Sequence, residues 1–327
     1  NGLVYPSDGG NRALGQSVRC LQEGTDGGTD GGTDGGTKYD NDFSTSGARN
    51  LSDEGTANSY IVSSAGTYSI SPVKGNSSES IGSVASAEVL WESFGTYENV
   101  IKGNLISGAR YENGRIYFKT ADAYREGNAV IAAKDAAGTI LWSWHIWLTD
   151  EPEGHVYNNN AGTMMDRNLG ATSTTPGDVG ALGLLYQWGR KDPFLGSSSI
   201  SNEVDARSTI TWPSAVSSDS STGTVDFVTS HPTTFVKAGS SSYYDWHYSS
   251  RDNSLWQSEK TIYDPCPVGW RVPDTGSSGV WNTAGFADTS YDSSNEGINF
   301  SISSPSTTWY PASGCRGNFD GAMDYVG

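Results

Sequence analysis

Cysteine, methionine and histidine are scarce in this chain, at three, three and four among 327 residues. Three cysteines allow one intramolecular bridge and an odd thiol, so a dense disulfide framework is excluded. Basic residues are also in deficit: 20 Lys and Arg face 37 Asp and Glu, for a net charge of −17. Nucleic-acid and anionic-membrane binding both draw on clustered cations, so neither is expected. Long apolar runs are missing. The longest, 139–148, is interrupted by Ser143 and His145 and falls short of the roughly 18 residues a spanning helix needs. No secretory leader or lipidation signal is visible, and membrane insertion is not expected of this stretch of chain.

Only 35 % of the residues are apolar, yet aromatics reach 11 % and there are 41 glycines. A disordered chain is poor in rings. Large rings that bury area, with Gly, Ser and Thr in the turns, suit a mainly β or loop-rich exported protein.

Residues 24–37 read GTDGGTDGGTDGGT. With no apolar residue to build a core, the segment reads as a flexible linker, which we place at 24–44. Over 45–148 the pattern is β. Short runs stand at 60–62, 67–73 and 87–91, and Asn113-Gly114 lies between aromatic β-formers, a strong hairpin signal. The segments 128–133 and 139–148 read strand, turn, strand, and in the second Ile140, Trp142, Trp144, Ile146 and Leu148 alternate with Thr139, Leu141, Ser143, His145 and Trp147. Short strands at this spacing suggest an immunoglobulin-like sandwich. A boundary falls at 149–154. Beyond it, 181–190 reads as the best helix of the chain, with a stripe of Leu182, Leu185, Tyr186 and Trp188 closed by Lys191-Asp192-Pro193. Residues 197–258 read as long loops pinned by isolated Trp and Tyr.

Catalytic signals are weak. His145, His155, His231 and His247 fall in no zinc-binding spacing. Neither a nucleophile elbow nor a P-loop is present. Asp245-Trp246-His247 sets an acid beside a base, but adjacent strand residues face opposite sides. The abundant carboxylates leave glycoside hydrolysis as the one enzyme reading open. We expect a protein that is not an enzyme and has no cofactor, with calcium open only as a loop stabiliser.

Residues 264–273, DPCPVGWRVP, carry the sequence's most distinctive motif. With 164–171 (MMDRNLGA), 186–194 (YQWGRKDPF) and 15–20 (GQSVRC), they resemble the Fibrobacter-type major paralogous domain of surface proteins from gut Bacteroidetes. Such domains are similar to C-type lectins. The likeness covers 149–327 together with 1–23, over half the chain. The order is unusual, because in the family the S-V-R-C strand closes the domain and here it opens the chain. We therefore expect a circular permutation, with the alternative that 1–23 is the tail of a preceding tandem copy. A family strand with a Tyr-Trp-Ser motif, expected between Gly327 and Asn1, is missing from this text. The expected domains are 1–23 as the permuted closing strand, 24–44 as linker, 45–148 as an immunoglobulin-like sandwich and 149–327 as a C-type-lectin-like ligand-binding domain.

The resemblance implies a bridge between Cys20 and Cys266, leaving Cys315 as the odd thiol. Of the calcium-dependent sugar site of C-type lectins, only fragments stand here, at Glu151-Pro152-Glu153 and Trp281-Asn282. A likeness to formylglycine-generating enzymes, which use paired thiols, fails on the single remaining cysteine.

Some lectin-like relatives look like targets of diversity-generating retroelements, which rewrite adenines so that Asn codons scatter over many residues. The frame S-G-x-R-x-x-x-D-G-A-x-x-x-V-G fits 313–327. The resemblance thus implies ligand-contacting variable positions at Cys315, Gly317, Asn318, Phe319, Asp324 and Tyr325. At the chain start it implies Leu3, Tyr5, Ser7, Asp8, Gly9, Gly10 and Asn11. Phe319 departs mildly from the codon logic, and Met323 belongs to the framework. Tyr5, Phe319 and Tyr325 would be anchors among small adaptable polar residues, as in antibody loops. The expected function is a cell-surface adhesin or pilus-tip receptor whose partner is a protein or glycan on another cell, phage or host surface. The alternative is a structural pilin subunit assembling by strand donation.

Overall fold

A computed structural model describes residues 12–23, 39–239, 244–249, 252–274, 276–285, 290–303 and 306–327. The linker expected over 24–37, and positions Leu3, Tyr5, Ser7, Asp8, Gly9, Gly10 and Asn11, lie outside them. Strand makes up 32 % and helix 7 %, so the protein is mainly β.

Two short strands open the chain, β1 (Gly15–Ser17) and β2 (Leu21–Gln22). Eight follow: β3 (Arg49–Asn50), β4 (Ser59–Val62), β5 (Thr67–Ile70), β6 (Ser86–Ser93), β7 (Ile106–Glu112), β8 (Arg115–Thr120), β9 (Gly127–Lys134) and β10 (Ile140–Leu148). They form two sheets, ordered β3-β5-β8-β7 and β4-β10-β9-β6. The β7–β8 hairpin turns on Asn113 and Gly114, both at positive φ (48° and 79°), as a two-residue turn of matching twist requires. One apolar core joins the sheets: Tyr68, Ile70, Ile116 and Phe118 from one pack with Ile131, Trp142, Trp144 and Ile146 from the other. The edge of β7 is covered by residues expected to be linker. Asp40 N–H donates to the Ser107 carbonyl, Asn41 Oδ1 accepts from Ala109 N–H, and the Arg110 guanidinium lies over Phe43. An edge strand left bare would invite pairing with another chain.

The remaining elements are shorter: β11 (Gly154–Tyr157), β12 (Gly162–Met165), β13 (Leu185–Gln187), β14 (Val216–Ser217), α1 (Val225–Ser230), β15 (Val236–Lys237), β16 (Trp270–Arg271), α2 (Val280–Ala284), β17 (Ser290–Asp292), β18 (Gly297–Ser303), β19 (Ser306–Pro311), β20 (Cys315–Arg316) and β21 (Met323–Asp324). They make small sheets within a loop-rich half. Two of these take a strand from the opening segment: β1 stands between β13 and β20 in the order β13-β1-β20-β21, and β2 between β12 and β16 in β11-β12-β2-β16. β1 thus pairs directly with β20, with Gly15 opposite Arg316.

The helix expected at 181–190 is a correction. Only residues 179–181 form a single 3₁₀ turn, and Leu185–Gln187 is a strand. Gly183 and Gly189 both take positive φ (74° and 79°), which ends any helical run between them. The segment then gains ladder bonds to β1 and a bridge from Leu185 to Phe194, so tertiary pairing overrides the apolar stripe.

The halves share more than a boundary. Along β10, Trp142, Trp144, Ile146 and Leu148 point into the two-sheet core, while Trp147 points the other way into a cluster with Val18, Cys20, Met165, Leu169, Tyr186 and Trp270. Val130 of β9 does the same. On β6, Ala87 and Val89 face the two-sheet core, and strict alternation would send Trp91 there as well. A register shift between Val89 and Trp91 leaves Leu90 as the extra residue and turns Trp91 to the opposite face. The sheet β4-β10-β9-β6 is therefore buried on both faces, which explains the unbroken burial of β9 and of β10 from Trp142 onward.

Candidate functional site

The surface that the sequence singles out rests on a fixed seam. At that seam Asn58 Nδ2 donates to the carbonyls of Ile262 and Asp264, and Asn128 Nδ2 to that of Gly170. The indole of Trp147 donates to the Ala171 carbonyl at 3.0 Å. Because the Asn128 amide nitrogen is committed to Gly170, its oxygen faces His145, so Nε2 of that ring carries the proton and donates across 2.9 Å. Nδ1 then accepts from the Ser59 hydroxyl. Burial drives the His145 pKa down to about 3, so the ring stays neutral. This histidine is a packed structural group, as its place on a Trp-rich strand suggests.

Beside it, Lys191 Nζ contacts the Ser143 hydroxyl at 2.6 Å and both Asp192 carboxylate oxygens at 2.8 and 2.9 Å. Ser143 also donates to Asp192. All three are buried, and the ammonium lies over the Trp142 ring. Burial pulls the Lys191 pKa down, opposed by the Asp192 charge. The trio occupies the seam between two packed clusters, where every polar group is spent on its neighbours.

The bridge joins Cys20 to Cys266 across 246 positions. Asp264, two residues earlier, is fully buried and accepts from the N–H groups of Cys266 and Val272. Burial raises its pKa to about 6 against the pull of Lys260. Opening strand and Pro-flanked loop are thereby fastened together. Trp270, on the strand paired with β2, lies in the same core as the bridge, whereas half-buried Trp188 leans on Trp256 with ring centroids 5.0 Å apart.

Above this scaffold β20 and β21 form a hairpin. Its turn closes through Gly317 N–H to the Ala322 carbonyl and Gly321 N–H to the Gly317 carbonyl. Burial sorts the implied contact residues. Cys315 is 7 % exposed, and burial, with nearby Asp324 and Glu203, raises its thiol pKa to about 11. Asn318 is 6 % exposed, with its carbonyl taken by Ala238 N–H and its amide nitrogen unpartnered among the described residues. Gly317 sits where a Cβ would come within 2.6 Å of Asp320 Oδ1. Cys315 and Asn318 are thus buried, and Gly317 has little room for a side chain. Asp324 is half-buried on β21. Phe319 and Tyr325 stand out at 65 % and 63 % exposure. Met323, assigned to the framework, is buried.

Neighbours the sequence did not single out complete the surface. Tyr244, 47 % exposed, meets Phe319 edge-on with centroids 5.9 Å apart, and its carbonyl accepts from Ala13 N–H. Glu203 and Val204 come from an exposed loop, and Glu203 accepts from Tyr325 N–H at 3.1 Å. Asp205 holds Arg316 at 2.7 Å. Tyr244 and Tyr325 both hold positive φ, 48° and 57°, a conformation costing roughly 1 kcal/mol for a residue with a side chain. The signal for Tyr244 was present: it lies in a Ser/Tyr-rich run, 239–250, of binding-loop composition. In the same run Trp246 is buried and Tyr248 exposed, so pins and surface rings alternate.

Among the described residues no group of three or more His, Cys, Asp or Glu is arranged to hold a metal ion, and no helix is long and apolar enough to cross a membrane. No known family model, curated protein or solved structure matches this chain.

Proposed function

We propose that the protein is an exported, non-enzymatic cell-surface receptor of the adhesin or pilus-tip kind: an immunoglobulin-like sandwich carrying a C-type-lectin-like, circularly permuted head that displays diversified residues to a protein or glycan partner. The single observation that carries this reading is the hairpin 315–325. Phe319 and Tyr325 are nearly two-thirds exposed, the strands beside them are held by β1 and by Arg316, and neither ring belongs to a core cluster. A surface whose side chains contribute nothing to the core can change without unfolding its carrier. Insertion of β1 between β13 and β20, with the Cys20–Cys266 bridge, supports the permutation, since the opening segment does the work of a closing strand.

Sequencing related copies tests the reading. Differences are expected to concentrate at 1–14 and 315–325, above all at Phe319 and Tyr325, leaving Cys20, Cys266 and Met323 constant. Differences spread evenly through the two-sheet half would overturn it.

A further inference from the structure

Some exposed or half-exposed rings carry the protein's own cations, whereas Tyr248 and Tyr291, about half exposed, carry none among the described residues. The Arg207 guanidinium lies 4.0 Å from the Tyr97 ring centre, and that ring is 59 % exposed. Arg110 covers Phe43 at 4.8 Å, and Lys102 lies 5.7 Å from Tyr39. Phe319, Tyr325 and Tyr244 are exposed and bear no cation among the described residues.

Carboxylates neighbour two of these rings along the chain, Asp320 after Phe319 and Asp324 before Tyr325, and Glu203 accepts from Tyr325 N–H. Asp320 and Glu203 are exposed, Asp324 is half-buried, and none of the three has an ion-pair partner among the described residues. One oxygen of each accepts a backbone N–H: Asp320 from Ala322, and both Glu203 and Asp324 from Tyr325. Their second oxygens have no hydrogen-bond partner among the described residues. The one cation on the hairpin, Arg316, is spent on Asp205 and on the carbonyls of Leu195 and Gly321, with its side chain 11 % exposed. Lys237, half-buried on β15, flanks the patch without an ion pair.

We infer that this surface recognises a protein segment bearing Lys or Arg, whose cationic heads stack on Phe319, Tyr325 and Tyr244 while Glu203, Asp320 and Asp324 accept their hydrogen bonds. The inference rests on the receptor reading above and narrows its partner. An aromatic face flanked by ionised oxygens offers a guanidinium both of its preferred contacts, ring face and carboxylate edge. A neutral glycan would use the rings and leave the carboxylates idle, and an anionic partner would be repelled by them. The charge of −17 draws cations toward the whole molecule. The rings are what make this place specific.

A phage-displayed library of random dodecapeptides, selected on the intact protein, tests the inference. Counter-selection uses the double variant Phe319→Ser with Tyr325→Ser, so only peptides that need the rings survive. The survivors are expected to be rich in Lys and Arg. Synthetic copies should bind about tenfold more weakly to Asp320→Asn with Asp324→Asn, a change that keeps each side-chain oxygen that accepts a backbone N–H. They should also weaken as salt rises from about 0.05 to about 0.5 M. Asp42→Asn with Glu54→Gln, two exposed carboxylates of the two-sheet half, removes the same charge and should change binding less than about twofold. Ring-dependent peptides that are neutral or acidic would overturn the cationic partner and leave the receptor reading standing. Equal weakening by both carboxylate pairs would reduce the effect to net charge and overturn it too. A selection yielding no ring-dependent peptide would count against both.

Discussion

The seam between the two halves and the hairpin 315–325 treat the same residue types in opposite ways. At the seam Trp91, Trp142 and Trp147 are at most 1 % exposed, and Lys191 is closed off by Asp192 and Ser143. On the hairpin Phe319 and Tyr325 are nearly two-thirds exposed, and Asp320 has no cation. Rings that fill space cannot be exchanged, because a core at crystal-like density registers the loss of even a methylene. Rings that stand in water can. The contrast separates a packed seam from an exposed hairpin, and it is open to measurement at each end.

The largest effect is expected where a charge would be left without its partner. Asp192→Ala strands the Lys191 ammonium in the seam and should lower the unfolding free energy by about 3–5 kcal/mol. A loss below about 1 kcal/mol would mean the seam is wet and the contrast false. Next comes the bridge. Replacing Cys20 and Cys266 together by Ser should cost about 2–5 kcal/mol, read as a shift of the denaturant midpoint with the bridge intact or absent. An unchanged midpoint would detach the opening strand from the account.

The buried histidine gives a smaller, pH-dependent effect. His145 has a folded pKa of about 3 against an ordinary 6.5. Between these values the unfolded chain binds the extra proton, so the stability from the neutral ring is present above pH 6.5 and lost as pH falls toward 3. The slope reaches at most about 1.4 kcal/mol per pH unit. His145→Gln, which keeps one donor and one acceptor, should be less stable at pH 7 and show a flatter loss on acidification. A parallel slope would place the histidine in water. The smallest effect is a gain: Tyr325→Gly relieves a positive φ of 57° and should stabilise by about 1 kcal/mol while removing a contact ring. Destabilisation would show that Tyr325 belongs to the core.

Much of the two-sheet half was legible because its signals are local. Asn113-Gly114 specifies the hairpin, and alternation names the residues that face the two-sheet core from Trp142 to Leu148, while a register shift between Ile140 and Trp142 puts Leu141, not Ile140, against that core. The same alternation hid what the other face does. That Trp147 packs on Cys20 and Trp270 depends on contacts more than a hundred positions apart, and the Leu90 bulge that turns Trp91 leaves no composition signal. The expected helix at 181–190 failed for the same reason, since its stripe of Leu182, Leu185 and Tyr186 fits a helix until β1 arrives to pair with it. At the hairpin, a frame of variable positions does not say which of them look inward. Burial of Cys315 and Asn318 follows from the pairing of β20 with β21 and from Ala238, none of which the frame contains.

The separation of carrier from displayed surface is the central claim, and denaturant unfolding of one variant tests it most directly. Phe319→Ser, Asp320→Asn, Asp324→Asn and Tyr325→Ser, combined in one chain, should unfold in a single transition within about 1 kcal/mol of the parent. Trp147→Ala measured alongside should lose about 3–5 kcal/mol. A fourfold hairpin variant as damaged as Trp147→Ala would contradict the account, because the displayed residues would then be part of what holds the molecule together.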